Sequence, residues 1–142
     1  MIVSTKGRYA LRVMIDLAEH PTEGFVPLQE IADRVQISRE YLSSILKILV
    51  QEGQLTSLRG KGGGYRLALA PEEIRIGAIL RMVEGNLAPV SCIQGASQCP
   101  DASKCRTHAM WAELDSVISD YLDSVRLTDF LKGGRFYFKT DF

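Results

Sequence analysis

No cysteine precedes Cys92 and none follows Cys105, and the total of 3 is odd. Secreted disulfide scaffolds pair their thiols, so one is not expected here. The opening Met1-Ile2-Val3-Ser4 does not read as the start of a cationic, apolar, cleavable leader. Long apolar runs are missing too: nothing approaches the ~20 residues that a membrane-spanning helix needs. No membrane partner is therefore expected, and a cytoplasmic location is. An excess of charge of either sign is absent, with 17 basic residues against 17 acidic ones, so overall charge gives no sign of nucleic acid. No Ser/His/Asp set and no pair of acids at a cleft can be named, and an enzyme is not expected.

What is present is concentrated. Cys92, Cys99, Cys105 and His108 fall within 17 residues and include every cysteine of the chain. Soft thiolates with an imidazole make a four-ligand set for an iron–sulfur cluster or a tetrahedral zinc ion. The intervening residues, from Gln94-Gly95-Ala96-Ser97 to Pro100-Asp101, are small, polar or turn-forming, so little else would hold this loop in one shape. A reversible thiol–disulfide switch is the competing use of the same cysteines.

Charge, though balanced overall, is unevenly placed. Between Arg39 and Arg66 the basic residues are Arg39, Lys47, Arg59, Lys61 and Arg66, against only Glu40 and Glu52. The same stretch has a readable organisation. Ala10, Val13, Met14, Leu17 and Ala18 recur with helical spacing, and Pro21 and Gly24 end that helix. Leu11 and Ile15 add a second apolar stripe, which suggests cover from a partner subunit or from the C-terminal region. A second helix carries Leu28, Ile31, Ala32 and Val35 inward. A third opens at Ser38 as N-cap, buries Leu42, Ile45, Leu46, Leu49 and Val50, and stops at Gly53.

Only Gln36 and Ile37 separate the second helix from that cap, the tight connection of a helix-turn-helix. With the apolar set inward, Arg39, Glu40, Ser43, Ser44, Lys47 and Gln51 face out and Tyr41 lies at the margin. Such a short-polar and basic face, near a helix N-terminus, is the part of this motif that enters a major groove. Leu55 to Arg59 and Tyr65 to Leu69 then read as two strands, with Tyr65, Leu67 and Leu69 alternating on one side. They are joined by Gly60-Lys61-Gly62-Gly63-Gly64, a cationic tip with almost no side chains. A hairpin of this kind after a helix-turn-helix is a wing, from which Arg59 and Lys61 reach phosphates or a narrow minor groove. The glycines do not form a nucleotide loop, since no Gly-Lys-Ser/Thr follows and the tip leads into a strand.

Ile76, Ile79, Leu80 and Val83 read as a further helix ended by Gly85. After the cysteine loop, Met110, Leu114, Val117, Ile118, Tyr121, Leu122 and Val125 keep a helical rhythm for over four turns. A helix this long after a complete small domain most simply packs on its copy in a twofold dimer, packing on its own domain being the alternative. The fold class read here is mainly α with a small β-hairpin. It comprises a winged helix-turn-helix domain over 1–85, a cluster-binding loop over 86–106, a dimerisation helix over 107–131 and a tail over 132–142. The aromatic tail from Arg135 to Lys139 alternates weakly and has no functional reading.

Taken in this order, the chain closely resembles the IscR-like iron–sulfur cluster regulators, a family of winged-helix transcription factors. The matching text is Thr5-Lys6-Gly7-Arg8-Tyr9-Ala10, Ile37-Ser38 with Tyr41-Leu42, Arg59-Gly60 with Gly62-Gly63-Gly64-Tyr65, and Cys105-Arg106-Thr107-His108-Ala109-Met110-Trp111. The resemblance implies a homodimer on a palindromic operator of double-stranded DNA, controlled by a 2Fe–2S cluster held by Cys92, Cys99, Cys105 and His108. It also implies DNA contacts by Ser38, Tyr41, Ser43 and Ser44 at base edges, Arg59 in the minor groove, and Lys6, Arg39, Lys47 and Lys61 nearby. Ser43 stands where some relatives carry a carboxylate, and Arg8 where nitric-oxide-sensing relatives supply an acidic ligand. A winged-helix regulator with structural zinc, and a small iron–sulfur electron carrier, are the other readings of the same residues.

Overall fold

The computed structural model describes residues 3–93 and 103–138. Cys99, with the rest of residues 94–102, and Lys139 lie outside the described residues. Five α-helices are described: α1 (Thr5–Glu19), α2 (Leu28–Val35), α3 (Arg39–Gln51), α4 (Ile76–Glu84) and α5 (His108–Ser124). Strands β1 (Leu55–Leu58) and β2 (Gly64–Leu67) form the hairpin, and short 3₁₀ turns occupy Pro71–Glu73, Ser91–Ile93 and Leu127–Phe130. None of these helices is long and apolar enough to cross a membrane.

The helical spacings produce the core they imply. Ala10, Val13, Met14 and Leu17 of α1 meet Ile31, Ala32 and Val35 of α2, Leu42, Ile45, Leu46 and Leu49 of α3, and Ile76, Ile79 and Leu80 of α4. Leu11, Ile15 and Val50 are half-buried at its edge. Ser38 caps α3 as its sequence suggests, its hydroxyl oxygen accepting from the Tyr41 N–H at 3.2 Å. Gln36, in the left-handed region at φ 61°, ends α2 and turns the chain so that α3 starts within two residues.

Charged and small residues lock the helices together. Asp16, only 8% exposed, takes a two-pronged grip from Arg34, with contacts of 2.9, 3.1 and 2.9 Å joining α1 to α2. At the other end of α1, Glu84 accepts from the Ser4 backbone at 3.0 Å while Ser4 itself caps Gly7. Gly7 is buried here, and a Cβ in its place would collide with the Glu84 carboxylate.

The hairpin is antiparallel, pairing Leu55 with Leu67, Thr56 with Arg66, Ser57 with Tyr65 and Leu58 with Gly64. A bridge from a third segment was not legible in the sequence. Val26 pairs with Tyr65 on the free edge of β2, each N–H donating to the other's carbonyl at 2.8 Å. The strands are shorter than expected, so Leu69 lies past the end of β2 and is exposed rather than on the inward side of the hairpin.

Within the 107–131 segment, helix runs only from His108 to Ser124. Val125 and Leu127 are buried in the core, and burying them requires an extended turn-back. Backbone bonds fix that turn: Ile76 N–H to Val125 C=O and Leu127 N–H to Ile74 C=O, both at 2.9 Å. Among the described residues, the tail forms no strand. Phe136 folds back on Phe130, ring centroids 5.3 Å apart, and Arg135 lies over the Phe136 ring at 4.5 Å.

Candidate nucleic-acid interface and candidate metal centre

The outward face of α3 is as the apolar spacing demands: Arg39, Glu40, Ser43, Ser44, Lys47 and Gln51 are exposed, and Tyr41 is half-buried. Between this face and the hairpin lies an open groove of about 530 Å³. Ser43, Lys47 and Gln51 line one wall, Arg59 and Gly60 the other, and Pro27 and Leu28 at the start of α2 contribute to it. Of the expected DNA contacts, Ser43 and Lys47 from the third helix and Arg59 from the wing thus converge on one concave surface. Six other expected DNA contacts do not line the groove: Ser38, Arg39 and Ser44 are exposed at the cap and outer face of α3, Tyr41 is half-buried in its first turn, Lys61 is exposed at the hairpin tip, and Lys6 is half-buried in the first turn of α1.

Two serine hydroxyls on this face are already half-used. Ser38 accepts from the Tyr41 N–H, leaving its hydroxyl proton to donate outward. Ser44 donates to the Tyr41 carbonyl at 2.7 Å, leaving its lone pairs to accept. The pair therefore offers one donor and one acceptor, the complement that base edges in a major groove present.

Backbone geometry makes the wing thin. Gly60 at φ 90° and Gly62 at φ 74° take conformations that side chains rarely adopt. Gly63 and Gly64 are restricted by space as well, since a Cβ would run into the Leu58 carbonyl at the first and the Val26 carbonyl at the second. One basic residue of this region is not available. Arg66 folds over Phe25, 4.5 Å from its ring centroid, and reaches the Glu23 carbonyl, so it belongs to the back of the hairpin and not to the cationic face.

The cysteine segment leaves α4 at Gly85 and returns at α5. Its first part is fixed: Asn86 Oδ1 accepts from the Ala88 N–H at 2.7 Å, and Leu87 and Ala88 are buried. Cys92, half-buried, lies in the turn Ser91–Ile93, whose Ile93 lines a polar pocket with Arg81, Asp115 and Ser119. Cys105 is exposed, its Sγ 3.4 Å from the Thr107 hydroxyl, and His108 is the half-buried first residue of α5. From His108 to Asp115 along α5 is ~10 Å at the helical rise. The turn holding Cys92 thus lies beside the middle of the helix that His108 begins. Among the described residues no three His, Cys, Asp or Glu side chains gather into a metal-holding group. The donor set nonetheless suits a cluster or a soft divalent metal, with Cys105 and His108 three residues apart at the start of a helix.

The segment is tied to the DNA-binding half by one charged clamp. Arg81 of α4 grips Asp123 of α5 at 2.6 and 3.1 Å, and Arg75 donates to the Asp123 backbone carbonyl at 2.7 Å. Gly77 admits this contact, because a Cβ there would strike the Asp123 carboxylate. The Arg81 hydrogen bonds hold the Asp123 carboxyl below the usual carboxylate range, against a smaller opposing effect of burial. The outer side of α5 is largely exposed, with Met110, Leu114, Val117 and Tyr121 between 39% and 64% exposed, although Arg135 lies over the Tyr121 ring at 5.9 Å.

Residues 3–133 match the Rrf2 family, described as iron-dependent transcriptional regulators. The HTH-type transcriptional regulator IscR of Aliivibrio salmonicida (strain LFI1238) is 40% identical over 131 residues, covering 92% of this chain and 77% of that protein. The IscR of Erwinia tasmaniensis is 39% identical over 129 residues, covering 91% and 78%. Among solved structures, T. potens IscR superposes with a TM-score of 0.75 at 35% identity, covering 99% of this chain and 93% of that one. CymR, the global cysteine regulator of B. subtilis, gives a TM-score of 0.75 at 33% identity over 94% and 98%.

Proposed function

The chain belongs to the Rrf2 family of transcriptional regulators, and on that premise we propose that it is a dimer whose grip on a palindromic operator is controlled by an iron–sulfur cluster. The observation that carries the DNA-binding part is the groove in which Ser43 and Lys47 of α3 face Arg59 of the wing. Positive and short polar side chains on its two walls suit a duplex, with bases read from α3 and the backbone held from the wing. The exposed stripe of Met110, Leu114, Val117 and Tyr121 supports dimerisation through α5, since an apolar stripe left open by a small domain is suited to be covered by a second copy.

Cys92, Cys99, Cys105 and His108 would hold the cluster, of the 2Fe–2S type. When bound, the cluster supplies a centre sensitive to oxidants, with a potential and proton coupling set partly by the histidine. The rest is done by the chain. Ligation through Cys92 would tie the turn beside the middle of α5 to Cys105 and His108 at its start. The Arg81–Asp123 clamp then passes any displacement of α5 to α4, and α4 packs on α1 and α3. In a dimer joined by α5, that displacement changes the separation of the two α3 helices, on which operator affinity depends.

Anaerobic purification followed by absorption spectroscopy and iron and sulfide analysis tests the cluster. A red-brown protein with iron and sulfide in equal amounts is expected, and Cys92→Ala, Cys99→Ala and Cys105→Ala each remove the colour. A colourless protein loaded with zinc, or colour surviving in two of the three variants, contradicts the assignment.

A further inference from the structure

Among the cations of α3 stands a carboxylate. Glu40 is exposed in the first turn of this helix. Asp16, Glu30 and Asp123 are committed to arginines, and Glu84 to Ser4. Glu40 forms no ion pair among the described residues, although Arg39 precedes it in the chain. Its place on the helix follows from spacing. Ser43, Lys47 and Gln51 line one wall of the groove, and Glu40 stands three, seven and eleven residues before them on the same face. Because Cα–Cβ bonds tilt toward a helix's N-terminus, its carboxylate extends that wall at the end of α3 from which bases are read.

A fixed negative charge at this point opposes the approach of a polyanion. An acid in the first turn does suit the helix dipole, but any face of that turn would serve, and the Ser38 hydroxyl already caps the helix. The next residues on this face, Ser43 and Ser44, are short, and Ser44 directs its proton to the Tyr41 carbonyl. Glu40 is thus the long acceptor at the reading end. In the major groove guanine and thymine present acceptors, adenine an acceptor beside its amino group, and cytosine the N4 amino donor. A carboxylate can only accept, so it gains a charge-assisted bond from cytosine and is repelled by the edges of guanine and thymine. Resting on the docking of α3 proposed above, we infer that Glu40 is a specificity-determining residue, accepting from the N4 amino group of one cytosine in each half-site. It also weakens binding to every duplex that lacks this donor, so its discrimination comes from repulsion as well as attraction.

The experiment selects operators from a random-sequence duplex pool with the full chain, Glu40→Ala and Glu40→Gln, then titrates each protein on the parent's operator and on a scrambled duplex. The parent should select a cytosine at one fixed position of each half-site. Glu40→Ala should lose the preference at that position and keep the others. Glu40→Gln should move it to adenine, whose N6 and N7 an amide can pair. Replacing that cytosine in the operator should weaken the parent roughly 5- to 150-fold and Glu40→Ala little. On the scrambled duplex both variants should bind tighter than the parent, by up to roughly fivefold. No fixed cytosine in the parent's operator, or the same preference in both variants while Tyr41→Ala and Ser43→Ala still weaken the operator, overturns the role of Glu40 and leaves the docking intact. A lower melting temperature with equal losses on both duplexes makes Glu40 a helix-terminus residue and also overturns it. No effect from the Glu40 variants, Tyr41→Ala, Ser43→Ala or Lys47→Gln removes the docking itself and this inference with it.

Discussion

At the scale of single residues, Gly64 shows how tightly the wing is specified. Its φ of 147° lies where side chains rarely go, and a Cβ would strike the Val26 carbonyl, backbone that cannot swing aside. Gly64→Ala should therefore lower stability by ~1 kcal/mol or more and break the Val26–Tyr65 rung. Thermal unfolding and amide exchange at Val26 and Tyr65 would check this; an unaltered melting temperature and full protection would contradict it. The run of glycines was plain in the sequence. The reason for its last member was not, because Val26 is distant in the chain and its single rung leaves no alternating pattern to read. For the same reason Arg66 reads as one more cation of the DNA face, although Phe25 holds it on the other side.

Among elements, α5 was the least legible. Its apolar rhythm from Met110 to Val125 is real, but periodicity does not say which residues leave the helix. Val125 and Leu127 are buried because the chain turns back to bond Ile74 and Ile76, a long-range pairing without a local signal. By contrast α1 to α4 followed their spacings closely, since each has one inward face and a short, well-marked end. One contact that joins α5 to α4 is the Arg81–Asp123 pair, invisible to patterning because both residues read as solvated.

That pair also gives a pH dependence with a definite sign. Asp123 titrates below the ordinary carboxylate range when folded, so it stabilises the fold above pH ~4 and the contribution fades as pH falls through the lowered value. Both side chains are more than a third exposed, and screening limits the effect to at most about 1 kcal/mol. Asp123→Asn should melt lower than the parent at neutral pH, and the difference should narrow on acidification below pH 4. A gap that stayed constant across that range would show that the carboxylate charge is not what matters.

For the whole molecule, the candidate interface was legible because its parts are local. The outward residues of α3 follow from its inward ones, and Arg59 and Lys61 stand in a short hairpin whose position after α3 is given by the chain. The candidate metal centre was legible as a set of donors only. Cys92 lies beside the middle of α5 and Cys105 and His108 at its start, with Cys99 outside the described residues. Dimerisation is testable at this scale. Light scattering at micromolar concentration should give a dimer, and charges at both Val117 and Tyr121 should give a folded monomer with weakened operator binding; a dimer that survives both charges excludes this face.

The account stands most directly on whether α3 reads DNA. An operator selected from a random-sequence pool, and a scrambled duplex of the same composition, would be titrated with the parent, Tyr41→Ala, Ser43→Ala and Lys47→Gln at several salt concentrations. The prediction is a loss of ~1–3 kcal/mol for Tyr41→Ala and Ser43→Ala on the operator and little on the scrambled duplex. Lys47→Gln should weaken both duplexes alike and lower the salt slope by about one. Equal losses on both duplexes for Tyr41→Ala and Ser43→Ala would contradict the account, because the helix facing the groove would then be holding DNA without reading it.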